Sequence, residues 1–295
     1  MKPAPPPGAA PVPVPPAAEV ISLLAEGESR LRAHGIESAR LDAEVLLAHA
    51  LGVGRGRLAM LLAGGGARRV AEGPRELFRR MLARRCRHEP VAYLVGRREF
   101  WSLDLEVTPA VLIPRPETER VVRAALELLP PAGGEAPPVA DVGTGSGAIA
   151  VALAVERPEL RVVGIDISRE ALAVARRNAR RHRVARRVTL VQADLLEPFL
   201  HAASDRAARE RFLMVVSNPP YLSRGERGSL MPDVARYEPQ EALFADEDGM
   251  GVVARLVPQA ARALEPGGWL VMETTVGRAA ATLRLLGGGP WRDVA

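Results

Sequence analysis

The chain has 295 residues, 47% hydrophobic and 25% charged, which is ordinary for a globular protein and long enough for two domains with their own cores. No apolar run is long enough to span a bilayer, and the single cysteine, Cys86, excludes both an internal disulfide and a Cys-rich metal site. The formal net charge is +5, yet Lys2 is the only lysine and the acidic residues nearly balance the arginines, so no strong basic field and no nucleic-acid partner follow from the totals.

Residues 1–18 are rich in proline and alanine and read as a disordered tail. The tail lacks the apolar core of a secretory signal, so the expected location is the cytoplasm. From Glu19 to about Glu89 the apolar spacing is helical. Val20, Leu23, Leu24 and Leu31 share one face, with Gly35 as a stop. Ser38 is the expected N-cap of a second helix carrying Leu41, Val45, Leu46 and His49, and Leu58–Leu62 makes a short third. Pro74 suits the first turn of a fourth, with Leu77, Phe78, Met81 and Leu82 on its apolar face. Residues 19–89 are thus expected to form a small helical domain. The five histidines (His34, His49, His88, His182, His201) show no metal-ligand spacing, and no metal site is expected.

Residues 90–113 read as a β-hairpin connector in which Trp101–Val107 alternates as a strand. Its aromatics Tyr93, Phe100 and Trp101 either pack between two domains or help dock a substrate. From residue 114 to 295 the pattern changes to alternating helix and strand. A helix is expected over 117–129, and strands over 139–143, 162–167, 188–193, 212–217 and 269–274. Short, β-branched strands separated by helices indicate an α/β domain with a parallel sheet covered on both faces.

Three segments carry chemistry. The first expected strand runs into Asp141-Val-Gly-Thr-Gly-Ser-Gly-Ala148, where glycines allow a sharp turn and let a ligand meet backbone N–H groups at a helix N-terminus. The second ends at Asp166, whose carboxylate can accept both hydroxyls of a ribose. Together they suggest an adenosine-containing cofactor, although the loop also fits a nicotinamide-binding turn or a turn without a ligand. A carboxylate at Asp141 would repel a pyrophosphate and suit the cations of S-adenosyl-L-methionine; alternatively, Asp141 holds the loop by accepting backbone hydrogen bonds. At the end of the third strand Asp194 is either an acceptor for the base or a helix N-cap, with Leu195 as an apolar wall.

The fourth strand runs into Asn218-Pro219-Pro220-Tyr221. Two prolines fix the backbone and leave carbonyls without competing donors, Asn218 offers an amide oxygen, and Tyr221 an aromatic face and a phenol. This set suits methylation of a planar nitrogen. Acceptors on its two hydrogens, the Asn218 side-chain oxygen and the Pro219 carbonyl, hold it in line with a methyl group and stabilise the developing charge. The alternative is a rigid turn with a buried tyrosine.

These motifs resemble the release-factor glutamine methyltransferases of the HemK/PrmC type. The likeness runs from about Glu19 to the C-terminus. It includes Arg40-Leu-Asp-Ala-Glu44, Glu89-Pro-Val-Ala-Tyr93, Gly96-Arg-Arg-Glu-Phe-Trp101, Leu112-Ile-Pro-Arg-Pro-Glu-Thr-Glu119, the glycine loop, Ser217-Asn-Pro-Pro-Tyr221 and Tyr237-Glu-Pro239. The resemblance implies a Rossmann-like class I methyltransferase domain preceded by a helical substrate-docking domain and the hairpin. It implies S-adenosyl-L-methionine bound by Gly143, Thr144, Gly145, Ser146 and Gly147, by Asp166 and by Asn218, with Leu195 beside the base. Asn218, Pro219, Pro220 and Tyr221 would form the catalytic segment. The implied substrate is the glutamine of the Gly-Gly-Gln loop of class I peptide chain release factors, methylated at N5, with no membrane or direct nucleic-acid partner.

The chain departs from the family pattern in two places. Glu273-Thr274-Thr275 stands where Glu-x-Gly is usual, and Ala295 falls inside what resembles the sixth strand. Without a seventh strand, the strand around 270–274 is expected to be an exposed apolar edge. Two other functions share the motifs. One is adenine-N6 methylation of DNA or RNA, which requires extrusion of a base. The other is a cofactor-binding protein without turnover.

Overall fold

The helical spacing of residues 20–31 becomes the buried face of α1 (Ala17–Ala33) in the computed structural model of the chain, which describes residues 17–63, 69–131, 138–200, 211–246 and 248–294. Most of the expected Pro-rich tail lies outside the described residues, but Ala17 and Ala18 already belong to the helix, which they extend ahead of Glu19. The chain divides into two compact units that meet in sequence between Val95 and Gly96.

The first unit continues with α2 (Ala39–Ala50), α3 (Arg55–Leu62), α4 (Glu72–Arg85) and α5 (Val91–Val95). Its core gathers Leu24, Leu31, Leu46, Leu47, Phe78 and Leu82 from three of these helices. Asp42 and Arg85 are both buried and pair at 2.7 Å, so each satisfies a charge the other would leave stranded. Ser38 occupies the N-cap position of α2, but its side chain makes no capping bond. Among the described residues, no single helix is long and apolar enough to cross a membrane.

The second unit opens with a hairpin, β1 (Arg97–Phe100) and β2 (Leu103–Glu106), in antiparallel register. The expected strand over 101–107 begins later, because Trp101 and Ser102 form the two-residue turn. Both have positive φ (52° and 57°), the conformation that matches strand twist in a tight hairpin. Neither residue favours this region, and the turn is held from outside. The Trp101 backbone N–H donates to Glu119 at 2.8 Å and its indole N–H to Glu156 at 2.7 Å.

A 3₁₀ turn (Pro116–Thr118) leads into α6 (Glu119–Leu128). The α/β layers follow: β3 (Val139–Val142), α7 (Ala148–Glu156), β4 (Val162–Asp166), α8 (Arg169–Arg181), β5 (Val188–Gln192), α9 (Glu197–Leu200) and β6 (Phe212–Ser217). Beyond β6 lie β7 (Leu222–Ser223), α10 (Pro232–Tyr237), α11 (Gln240–Leu243), β8 (Phe244–Asp246), α12 (Gly251–Ala263), β9 (Leu264–Met272) and α13 (Val276–Gly287). Five strands form a parallel sheet in the order β5-β4-β3-β6-β9, as the alternating pattern predicts. Successive residues of β6 serve opposite faces. Met214 and Val216 join the cluster with α6 and α7, whereas Val215 joins the one with α12.

The last strand, β9, stands at the edge of this sheet beside β6. The expected sixth strand near the C-terminus does not form among the described residues. Gly287-Gly-Gly-Pro290 breaks the chain after α13, and Trp291 packs against the cluster that holds Leu256 and Ala260.

Candidate active site

Strand register sets the site before side chains do. Val142 of β3 pairs with Ile165 of β4 and Ser217 of β6, and Ser217 pairs with Met272 of β9. The next residue on each strand, Gly143, Asp166, Asn218 and Glu273, therefore stands in one row at the carboxyl ends. Ligands of α/β sheets bind in this position, where the chain order reverses on the two sides of β3.

The row borders a cleft of about 360 Å³, within the usual range for small-molecule sites. Of the residues singled out from the sequence, Gly143, Thr144, Gly145, Ser146, Asp166 and Leu195 line it on one side, and Asn218, Pro219 and Pro220 on the other. Gly147 and Tyr221 are not part of the lining. Gly147 caps α7 with φ 79°, and a Cβ there would come within 3.1 Å of Ala175, so its role is to let α7 and α8 approach. Tyr221 is half-buried, and desolvation followed by the Glu273 carboxylate raises its phenol above the ordinary range.

The loop is fixed from below and from the side. Asp141 is buried, and its Oδ2 accepts from the Thr144 hydroxyl at 2.6 Å and from the Ala150 N–H at 3.0 Å. Burial pushes this carboxyl up to about 6, and Oδ1 is buried without a hydrogen-bond partner. Asp141 lies beneath the loop and does not line the cleft. The expectation that its charge selects the ligand therefore gives way to the alternative, a carboxylate that holds the loop in shape. Asp166 approaches from the side. One oxygen accepts from Gly145 N–H at 2.8 Å and the other from Ser168 N–H at 2.9 Å. Desolvation raises this carboxyl, and those N–H groups oppose the rise. Each oxygen keeps a further lone pair for a ligand hydroxyl.

Asp194 lines the cleft, as an acceptor for the base would, and is not the helix N-cap. It pairs with Arg255 at 2.5 Å, and α9 starts three residues later. Leu195 beside it has φ 53°, which costs a branched residue about 1–2 kcal/mol, and it lines the cleft in that conformation. Ile167, which follows Asp166, also lines the cleft and is 61% exposed, a large apolar surface for a ligand ring.

Several contributors come from distant parts of the chain. The Asn218 Nδ2 donates to the Thr118 hydroxyl at 3.0 Å, and that hydroxyl donates to Glu273 Oε2 at 2.7 Å. Desolvation raises the Glu273 carboxyl, with the Thr118 hydrogen bond opposing. Arg115 pairs at 2.6 Å with Glu238, whose other oxygen accepts from Ile113 N–H at 3.2 Å. This pair joins the segment before α6 to the turn after α10, and Arg115 and Pro239 both line the cleft. Asn178, fully buried on α8, accepts from Glu106 N–H and donates to the carbonyls of Glu106 and Ser146, tying the hairpin to the glycine loop. The Pro-Arg-Pro-Glu-Thr-Glu and Tyr-Glu-Pro motifs mark Thr118, Arg115 and Glu238 as unusual; nothing local in the sequence marks Asn178.

Residues 22–96 match the PrmC N-terminal domain family, and residues 135–286 a methyltransferase domain family. The release factor glutamine methyltransferase of Moorella thermoacetica is 44% identical over 85% of this chain and 83% of its own length. The protein of that name from Geobacter sulfurreducens is 42% identical over 84% of this chain and 81% of its own length. The one from Escherichia coli is 41% identical over 85% and 83%, respectively. The cofactor of this methyltransferase domain is S-adenosyl-L-methionine, and a cleft with left-handed glycines, a pinned Asp166 and apolar Ile167 and Leu195 fits its adenosine. Close identity along most of both chains, with the glycine loop and Asn-Pro-Pro-Tyr brought to one cleft, places this protein in the release factor glutamine methyltransferase family.

Proposed function

We propose that the chain methylates N5 of the glutamine in the Gly-Gly-Gln loop of class I peptide chain release factors, acting in the cytoplasm. The observation that carries this reading is the placement of Asn218, Pro219 and Pro220 in the same cleft as the glycine loop and Asp166. In it, Gly143 to Ser146 hold the amino-acid end of S-adenosyl-L-methionine, with Gly147 shaping the turn. Asp166 takes the ribose hydroxyls, and Ile167 and Leu195 flank the adenine. The bound cofactor supplies an electrophilic methyl group.

A glutamine side-chain nitrogen is a poor nucleophile because its lone pair is shared with the carbonyl. The Asn218 side-chain oxygen and the Pro219 carbonyl accept its two hydrogens and hold the lone pair toward the methyl. Fixed dipoles at these points stabilise positive charge as it develops on nitrogen, without the reorganisation water would need. No strong base is required beforehand, since the proton becomes acidic only as the new bond forms. Pro220 and Tyr221 keep the turn rigid. The first unit, with its own helical core, is the docking element for the substrate protein.

Incubation of the protein with a class I release factor and S-adenosyl-L-methionine, followed by tandem mass spectrometry, tests the reading. The expected product carries one added methyl on the glutamine of the Gly-Gly-Gln peptide. A methyl on another residue, or none, refutes it.

A further inference from the structure

An asparagine amide has two faces of opposite character, and the proposed reaction works with only one of them. An oxygen toward the substrate accepts an N–H and selects an amide; a nitrogen there would donate, and would select a carbonyl or carboxylate. Rotation of the amide by half a turn exchanges the two at little steric cost. Something must therefore choose between them, and the choice fixes both rate and specificity.

We propose that Glu273 and Thr118 are positioning residues that set the polarity of the Asn218 amide and so make the site select glutamine over glutamate. This rests on the reading of Asn218 given above. An ionised carboxylate has no hydrogen to give, so Glu273 can only accept. The single hydrogen of the Thr118 hydroxyl is therefore committed to Glu273, at 2.7 Å. The Thr118 oxygen then has only lone pairs for Asn218, 3.0 Å away, and the amide must present Nδ2 to it. The oxygen Oδ1 is thereby turned the other way.

The parts of this relay are held independently of one another. Glu273 is levelled with Asn218 by β6–β9 pairing, and its backbone N–H donates to Ser217 O at 3.0 Å. Thr118 is buried where the 3₁₀ turn passes into α6, on a different element altogether. Three elements thus converge on one hydroxyl whose hydrogen has a single direction. A buried hydroxyl lacking the carboxylate would turn its hydrogen to the best remaining acceptor, Asn218 Oδ1, and reverse the amide.

The test uses the full chain and two protein ligands: a class I release factor, and its variant with glutamate in place of the Gly-Gly-Gln glutamine. Binding of each is measured with S-adenosylhomocysteine present, and turnover is measured on the glutamine form. The wild type is expected to favour the glutamine form. Thr118→Val, which keeps the Glu273 charge, should narrow that preference and lower kcat by about 10-fold or more, with cofactor affinity within about 2-fold of wild type. Thr118→Ser retains the hydroxyl and should recover most of both. Glu273→Met, which leaves the hydroxyl free to reverse the amide, should narrow the preference and lower kcat at least as far as Thr118→Val, and the double variant should be no slower than the slower single variant, because both substitutions break one chain. Wild-type selectivity and kcat in Thr118→Val and Glu273→Met would overturn the relay, as would effects that multiply in the double variant. A wild type that neither prefers nor methylates the glutamine form contradicts the proposed function itself, a separate outcome.

Discussion

Asp141 gives the sharpest quantitative prediction, because its cost and its contribution separate with pH. Its carboxyl is raised from 3.8 to about 6 by burial, with the Thr144 and Ala150 bonds opposing. The folded state thus holds this proton more tightly than the unfolded chain does. Below about pH 3 both states are protonated; as pH rises through 3.8 toward 6 the unfolded chain ionises first, and stability falls. That gap is worth roughly 3 kcal/mol once both states are ionised. Asp141→Asn removes the titration. Its amide oxygen keeps the two donors, and its NH2 takes the place of the unpartnered Oδ1, at a pH-independent cost of about 1–3 kcal/mol. In urea unfolding without cofactor, the variant should be no more stable than the wild type at about pH 4.5 and gain on it by roughly 2 kcal/mol by about pH 7.5. Parallel stability curves for the two proteins across that range would show that Asp141 is not desolvated as described.

Asn218→Ala should abolish methyl transfer while leaving S-adenosyl-L-methionine affinity within about 10-fold, read by calorimetry and by methylation of a release factor. Turnover near that of the wild type excludes Asn218 as an acceptor. Asp166→Ala should weaken cofactor binding by about 1.5–3 kcal/mol, the range of a hydrogen bond to a charged group, and unchanged affinity would misplace the ribose. Asn178→Ala leaves Glu106 N–H and two carbonyls without their partner and should lower unfolding stability by about 2–4 kcal/mol in urea. A loss below about 0.5 kcal/mol would mean that water replaces the amide there.

What could be read from the sequence was what neighbours in the chain decide. The glycine loop, Asp166 and Asn-Pro-Pro-Tyr each occupy the end of a β-branched strand, and a parallel sheet brings such ends together. The parallel pairing of β5, β4, β3, β6 and β9 follows from alternating helix and strand. Pairings across the chain were not legible in the same way. Thr118 meets Asn218 and Glu273 over separations of 100 and 155 residues, and Arg115 meets Glu238 over 123. Their partners depend on strand register and on how loops pack, neither of which leaves a local pattern. Asn178 looks like any polar residue of an amphipathic helix, yet it is fully buried because three backbone groups need it. Trp101 and Ser102 look like strand residues, and the bonds from Trp101 to Glu119 and Glu156, distant in the chain, hold them in a turn.

The grip on the substrate nitrogen can be measured directly. A crystal structure of the full chain with S-adenosylhomocysteine and the release factor should place the glutamine side-chain nitrogen about 2.7–3.2 Å from both Asn218 Oδ1 and the Pro219 carbonyl. A glutamine seated in the cleft with its nitrogen beyond reach of both oxygens, or an Asn218 amide turned with Nδ2 toward it, would contradict the account.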